Sequence, residues 1–284
     1  MTAIGFSLQP QYGVSLEQMM ELLAQAGFSA VSPVWTTEEN LDKIAALAAA
    51  KGMTLQSVHA PLSGIPQLWE PDTVASQQAQ EEILRCVAAC GKHHVPVMVL
   101  HSWQGIEYTF PAEPLDFRFF DRLADVARQK GVAVALENLE GEEYLAALLE
   151  RYGDQPHIGF CWDSGHDHCY PHQTDFLEAY GQRLIMTHLN DNWGLRDPQG
   201  RPSGNDDLHF LPYDGKIHWQ QWLQRLAKAK KQDILNFELK IRSHSQDPAD
   251  QPYAKLPLEE FIHLAGQRAG QIAGLYEKIL SCDP

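Results

Sequence analysis

The stretch IGFCWDSGH, residues 158–166, is the best guide to the fold, because an apolar run ends abruptly in Asp163 and His166. This pattern is typical of a buried strand that delivers polar side chains at its C-terminal end. An Asp with a His three residues later is weak evidence for a metal site, since short motifs often cap helices or satisfy loops. The interpretation therefore depends on whether the pattern is repeated.

Five other apolar runs end in His or Glu: SVHAP at 57–61, VLHSW at 99–103, ALENL at 135–139, MTHLND at 186–191 and NFELK at 236–240. Apolar periodicity predicts strands at 4–8, 30–34, 54–59, 97–100, 132–136, 158–162, 184–187 and 234–237. Helical spacing, with Gly after several segments, predicts helices at about 15–26, 41–51, 73–90, 114–130, 142–152, 175–181, 218–231 and 258–279.

Eight alternating strand–helix units predict a parallel sheet closed by helices, and 284 residues suit a (β/α)₈ TIM barrel. We interpret residues 1–284 as a single α/β barrel domain, because no linker divides the chain. The structural alternative is an open doubly wound sheet. That fold concentrates its site at one switch point, whereas ligand-type residues here end at least six strands.

Composition narrows the class of protein. The chain is 44% hydrophobic and 21% charged, with no apolar run long enough to span a membrane, so we expect a soluble protein. The N-terminus lacks the pattern of a secretory signal, and the five cysteines form no C-x-x-C pair. Both features predict a cytoplasmic protein with free thiols. The net charge of −15 disfavours nucleic acid as a partner.

Four strand-end residues predict a metal site. In a barrel, Glu137, Asp163, His188 and Glu238 would point into one mouth. Three carboxylates with one imidazole suit Mn²⁺, Mg²⁺ or Co²⁺, and Zn²⁺ also accepts them. The alternative is that each acid caps a helix or forms a salt bridge. Several such carboxylates would repel one another unless a cation held them.

With these motifs the chain resembles the xylose-isomerase-like barrel superfamily, which includes sugar and sugar-phosphate isomerases and epimerases and the endonuclease IV class. The resemblance is carried by Glu137, Asp163-x-x-His166, His188 with Asn190-Asp191, and Glu238. It implies that Glu137, Asp163, His188 and Glu238 bind one divalent metal and that His166 faces substrate. It also implies that Glu137 and Glu238 act as the acid–base pair.

The same resemblance leaves a second reading open. His59, His101, Asp207 and His209 stand where the nuclease class has additional zinc ligands, and with His166 they would complete a set for three Zn²⁺ ions. Sugar-active members often use such residues to bind hydroxyl groups. These five residues are therefore predicted either as substrate contacts or as extra metal ligands.

We expect a metal-dependent isomerase or epimerase that acts on a sugar, sugar phosphate or cyclitol through an enediolate. The acidic charge and the strand-end residues Trp35, Trp69, Trp103 and Trp193 favour a sugar, although each Trp alone is more typical of packing. Arg196 and Arg242 are candidate contacts for a substrate anion. The alternatives are an endonuclease IV-like phosphodiesterase and a non-catalytic sugar-binding barrel, and homo-oligomer formation is left open.

Overall fold

Strands and helices alternate along the chain in a computed structural model that describes residues 2–9, 12–70, 72–240, 253 and 255–282. The strands are β1 (Ala3–Leu8), β2 (Ala30–Pro33), β3 (Thr54–Leu55), β4 (Ser57–His59), β5 (Val97–His101), β6 (Ala133–Glu137), β7 (Ile158–Asp163), β8 (Leu184–His188) and β9 (Ile234–Phe237). The α-helices are α1 (Leu16–Gln25), α2 (Glu38–Ala50), α3 (Val74–Lys92), α4 (Arg118–Lys130), α5 (Glu142–Arg151), α6 (Ser164–Cys169), α7 (Phe176–Tyr180), α8 (Trp219–Ala227) and α9 (Leu258–Cys282).

The strands form a parallel barrel, which confirms the predicted fold. One sheet has the order β3-β2-β1-β9 and the other the order β4-β5-β6-β7-β8. Parallel bridges between Val34 and His59 and between Leu189 and Phe237 join the two sheets at both seams. All strands therefore present their carboxyl ends at one mouth.

The third predicted strand differs in detail, because it consists of two segments. Thr54–Leu55 pairs with β2, and Ser57–His59 pairs with β5. Gln56 lies between them, and its backbone N–H donates to Val31 O at 2.9 Å. The chain pairs with β2 before this residue and with β5 after it. His59 therefore lies at the mouth beside the end of β5.

Helix α6 is absent from the sequence prediction. It begins directly after β7, and the Asp163 side chain caps it by accepting the His166 backbone N–H at 2.7 Å. Helix α4 starts at Arg118, later than expected, because the Asp116 carboxylate accepts the Arg118 N–H at 3.0 Å and forms a turn. Asp163, the last residue of β7, is thus held in place as the N-cap of helix α6.

The core lies between the barrel and its helices. Phe6, Phe160, Trp162 and Phe237 are fully buried on the outward faces of their strands, and each such side chain contributes about 1.5–3 kcal/mol by leaving water. This packing makes the strand ends a rigid base for polar groups. All five cysteines are free, as predicted. No helix among the described residues is long and apolar enough to cross a bilayer.

Candidate metal centre

The barrel brings the four predicted ligands together. Ligand atoms of Glu137, Asp163, His188 and Glu238 all lie within 4.8 Å of one another, and all four side chains are buried. Glu137, Asp163 and His188 are the last residues of β6, β7 and β8, and Glu238 directly follows β9. Four consecutive strands of the barrel wall therefore supply one donor each.

His188 lies between the two glutamates. Its Nδ1 is 3.0 Å from Glu137 Oε1 and 3.1 Å from Glu238 Oε2. The remaining carboxylate oxygens turn outward, Glu137 Oε2 to His59 Nε2 at 3.1 Å and Glu238 Oε1 to Gln9 Nε2 at 3.4 Å. Each glutamate thus has one oxygen inside the cluster and one at its edge.

Asp163 is held in place by two asparagines. The Asn190 amide donates to its carboxylate at 2.9 and 3.2 Å. The Asn138 side chain accepts the Asp163 N–H at 2.8 Å and donates to the Asp163 carbonyl at 2.9 Å. Such groups behind a ligand fix its orientation before a metal arrives.

Burial and charge compete at these carboxylates. Burial opposes ionisation of Glu137, but the imidazoles of His188, His101 and His59 hold its pKa well below the usual value. Burial raises the pKa of Asp163 to about 6. Burial lowers the pKa of His188, but the neighbouring Cys161, Glu137 and Glu238 raise it well above its usual value. A cation bound here would displace a proton from His188.

A second cluster adjoins the first. His59, His101 and Glu137 offer ligand atoms within 4.8 Å of one another. His59 Nε2 and His101 Nε2 lie 3.1 and 3.4 Å from the same oxygen, Glu137 Oε2. Glu137 therefore belongs to both clusters, with a different oxygen directed to each.

A third cluster consists of His166, Asp207 and His209. Asp207 Oδ2 is 2.8 Å from His209 Nε2 and 3.7 Å from His166 Nε2. His209 has a φ of 51°, which is uncommon for a residue other than glycine, and its Nδ1–H donates to Glu238 O at 2.9 Å. Backbone strain of this kind is frequent at functional sites.

The donor chemistry fits a divalent cation in the first cluster. Among the described residues, no Lys or Arg side chain pairs with Glu137, Asp163 or Glu238, although all three are buried. In the part of the chain that the structure describes, the charge of these carboxylates is met by histidines and neutral amides. Three oxygens and one imidazole nitrogen match ligands used by Mn²⁺, Co²⁺ and Zn²⁺.

The two arginines predicted as anion contacts and the four predicted tryptophans do not gain a role in the site from the described residues. Arg196 Nε is 3.2 Å from Asp206 Oδ1, and Arg242 lies outside the described residues. The tryptophans pack against protein groups: Trp35 donates to Glu82, Trp69 donates to Ser102 O, Trp103 stacks on Tyr144 and Trp193 contacts Phe210. Their packing agrees with what is typical of each Trp alone.

The supporting roles of several residues were missed from the sequence, although Asn190 and Asp191 were noted there beside His188. Gln9, at the end of β1, contacts Glu238, and Asn138 and Asn190 hold Asp163. Asp191 accepts hydrogen bonds from Tyr213, Ile217 and Trp219. Their sequence signal is position alone, since they stand at a strand end or next to a predicted ligand.

A sequence model of the xylose isomerase-like TIM barrel family matches residues 20–257. The chain belongs to this family. The uncharacterized protein y4fM of Sinorhizobium fredii is 28% identical over 304 aligned residues, which cover 91% of this chain and 93% of that protein.

Solved structures with the same fold include a zinc-binding protein and two sugar epimerases. An IolI protein with a bound zinc atom has a TM-score of 0.75 at 18% identity, over 97% of this chain and 99% of that one. The D-psicose 3-epimerase of Clostridium cellulolyticum has a TM-score of 0.68 at 15% identity, over 99% and 100%. The 3-keto-D-glucoside 4-epimerase YcjR of E. coli has a TM-score of 0.67 at 14% identity, over 95% and 99%. At these identities the likeness establishes the fold.

Proposed function

We propose that the protein is a divalent-metal-dependent isomerase or epimerase acting on a sugar, sugar phosphate or cyclitol through an enediolate. One observation carries the proposal: Glu137 and Glu238 approach the same nitrogen of His188 at 3.0 and 3.1 Å, with Asp163 completing the cluster. The IolI structure with zinc supports the choice of a divalent metal, and the two epimerases support the choice of reaction class.

The proposed roles follow from the two glutamate oxygens that lie at the edge of the cluster. Glu137 Oε2 and Glu238 Oε1 lie at the edges of the cluster, so each glutamate can bind through one oxygen and hold a proton on the other. A bound divalent cation would supply Lewis-acid polarisation of the substrate carbonyl. One glutamate removes the proton next to the carbonyl, and the other returns a proton, from the opposite face in an epimerase. His166 and His101 are proposed hydroxyl contacts.

Deuterium exchange tests this function directly. Metal-loaded protein is incubated in deuterated water with a panel of ketopentoses, ketohexoses and inososes, and label at the carbon next to the carbonyl is measured. We expect label in at least one of these compounds, because a proton held on Glu137 or Glu238 can exchange with solvent. Complete absence of label across the panel would refute the enediolate mechanism.

A second candidate function has its own supporting observation. His59 with His101, the four-residue cluster, and His166 with Asp207 and His209 form three adjacent donor groups. That arrangement suits an endonuclease IV-like phosphodiesterase with up to three zinc ions. The net charge of −15 argues against a DNA substrate.

Elemental analysis of the purified protein separates the two candidates. One metal per chain supports sugar chemistry. Three metals per chain, together with nicking of duplex DNA at an abasic site that weakens steeply with salt, support the nuclease.

A further inference from the structure

Cys161 is a buried thiol inside the barrel to which no role has been assigned so far. It lies on β7 two residues before Asp163, and side chains two apart on a strand share one face. Because Asp163 points into the metal centre, Cys161 also faces the barrel interior, one layer below. Its direct partner in the pairing of β6 with β7 is Glu137. The thiol therefore lies beside a predicted ligand.

The thiol completes a separate group of donors. Ligand atoms of Glu137, Cys161 and His188 all lie within 4.8 Å of one another, the same limit that describes the four-residue cluster, and all three residues are buried. Two of these residues are shared with the four-residue cluster, so the thiol adds a donor of a different kind to it. Among the five cysteines, which all lie in described segments, Cys161 is the one that belongs to such a group.

The surroundings of the thiol differ from those of the carboxylates. Below the metal centre the barrel interior is apolar, and Cys161 packs there in a buried cluster with Val97, Val99, Ala135 and Met186. The side chains of these four residues offer no oxygen ligand. Mg²⁺ binds through oxygen and usually keeps several of its waters. A cation that binds beside the thiol must therefore be one that gives up water and accepts sulfur.

The thiol has to lose its proton before it can bind a metal, since the thiolate is the ligand. Burial raises the pKa of Cys161 to about 12. The proton therefore stays on sulfur until a cation displaces it to solvent and the metal–sulfur bond forms in its place. Thiolate is a soft ligand that suits Zn²⁺, whereas Mg²⁺ and Mn²⁺ suit carboxylate and water. This proton favours thiophilic cations over hard ones at Cys161.

We propose that Cys161 is a ligand of the metal centre for thiophilic divalent cations: Zn²⁺ or Cd²⁺ binds Glu137, His188 and the Cys161 thiolate, whereas Mn²⁺ or Mg²⁺ binds the four-residue cluster without it. The centre then has two coordination modes that share Glu137 and His188. The inference goes beyond the proposed function, because it concerns the choice of metal and holds for any reaction at this mouth.

X-ray absorption at the metal edge tests the assignment on the unmodified chain. Metal-free protein is loaded with one equivalent of Zn²⁺ or of Mn²⁺. For Zn²⁺ we expect one sulfur at about 2.3 Å together with nitrogen and oxygen at about 2.0–2.2 Å, and for Mn²⁺ nitrogen and oxygen alone. Cys161→Ser should lose the sulfur. Cys282→Ser is the control for adventitious binding at an exposed thiol, and it should keep the sulfur.

Calorimetric titration with Cd²⁺ and with Mn²⁺ measures the selectivity. Cys161→Ser should weaken Cd²⁺ binding by about tenfold or more and change Mn²⁺ binding by less than about threefold. Cys282→Ser should change neither affinity. Cys161→Ala is measured in parallel, because a hydroxyl buried in an apolar cluster can destabilise the fold, and circular dichroism checks that each variant is folded.

The outcomes separate Cys161 from the metal centre as a whole. A zinc shell without sulfur in wild type, or a sulfur that persists in Cys161→Ser, would overturn the role of Cys161 and leave the four-residue cluster intact. Equal losses of Cd²⁺ and Mn²⁺ affinity in both variants would overturn the selectivity, because they would reflect a general disturbance of the centre. Failure of every divalent cation to bind would refute the metal centre itself, and the role of Cys161 with it.

Discussion

Asp191→Asn should destabilise the fold far more than an ordinary polar substitution. The Asp191 carboxylate is fully buried and accepts the Tyr213 N–H at 3.0 Å, the Ile217 N–H at 3.0 Å and the Trp219 Nε1–H at 2.9 Å. These donors come from residues 22 to 28 positions away. One side chain therefore holds the second half of the loop that carries Asp207 and His209.

The magnitude follows from the lost acceptors. An amide in place of the carboxylate keeps one oxygen but directs an N–H₂ group toward buried donors. Hydrogen bonds to charged groups contribute about 1.5–3 kcal/mol each, and an unsatisfied buried donor costs about 1–3 kcal/mol. Each carboxylate oxygen accepts two hydrogen bonds, since the Asn192 N–H also donates to Oδ1 at 2.9 Å. Loss of one oxygen as an acceptor removes two of these four bonds and lowers the free energy of unfolding by about 3–5 kcal/mol.

Urea denaturation of both proteins, followed by circular dichroism, measures this change. Asp197→Asn is the matched control, because Asp197 lies in the same loop and contacts the largely exposed Arg201. The control should lose less than about 1 kcal/mol. A loss below 1 kcal/mol in Asp191→Asn, equal to the control, would refute the idea that this carboxylate organises the loop.

The other predictions concern the centre and the pH dependence of stability. Glu137→Gln and Glu238→Gln should each lower kcat by about 10²–10⁴-fold. Metal occupancy measured alongside separates lost ligation from lost proton transfer, and activity above a tenth of wild type in both would contradict the assignment. Chelation of divalent cations should lower Tm by roughly 5–10 °C, because a ligand at 100 Kd adds about 2.7 kcal/mol; an unchanged Tm would argue against a resident metal. The hydrogen bond to Asp167 raises the pKa of His172 from 6.5 to about 9. Its contribution to stability is complete below pH 6.5 and is lost as pH rises through 9, by about 1–2 kcal/mol after allowance for partial exposure. His172→Asn should remove that loss from the pH profile of urea unfolding, and an unchanged profile would count against the pair.

The barrel and its first cluster were predictable because both follow from short-range patterns. Apolar runs identify buried parallel strands, and in a closed barrel every strand end reaches the same mouth. Glu137, Asp163 and His188 each end a strand, so topology alone brings them together. No long-range contact had to be known in advance.

The supporting residues were not predictable because their partners are distant and aperiodic. Asp191 was noted beside His188, but nothing in the local sequence indicates that Trp219 and Ile217 donate hydrogen bonds to it. Helix α6 has only 6 residues, too short for apolar periodicity to mark it.

Metal count and substrate charge are linked through Glu137. Its two oxygens face different clusters, so this carboxylate could bridge two cations. With one divalent cation, Glu137, Asp163 and Glu238 leave the first cluster with an excess of negative charge, and Asp207 of the third cluster adds to it. With three divalent cations, six positive charges would exceed the charge of those four carboxylates, and the mouth would attract an anion. In the proposed mechanism a single metal would therefore favour a neutral substrate, and three metals would favour a phosphodiester.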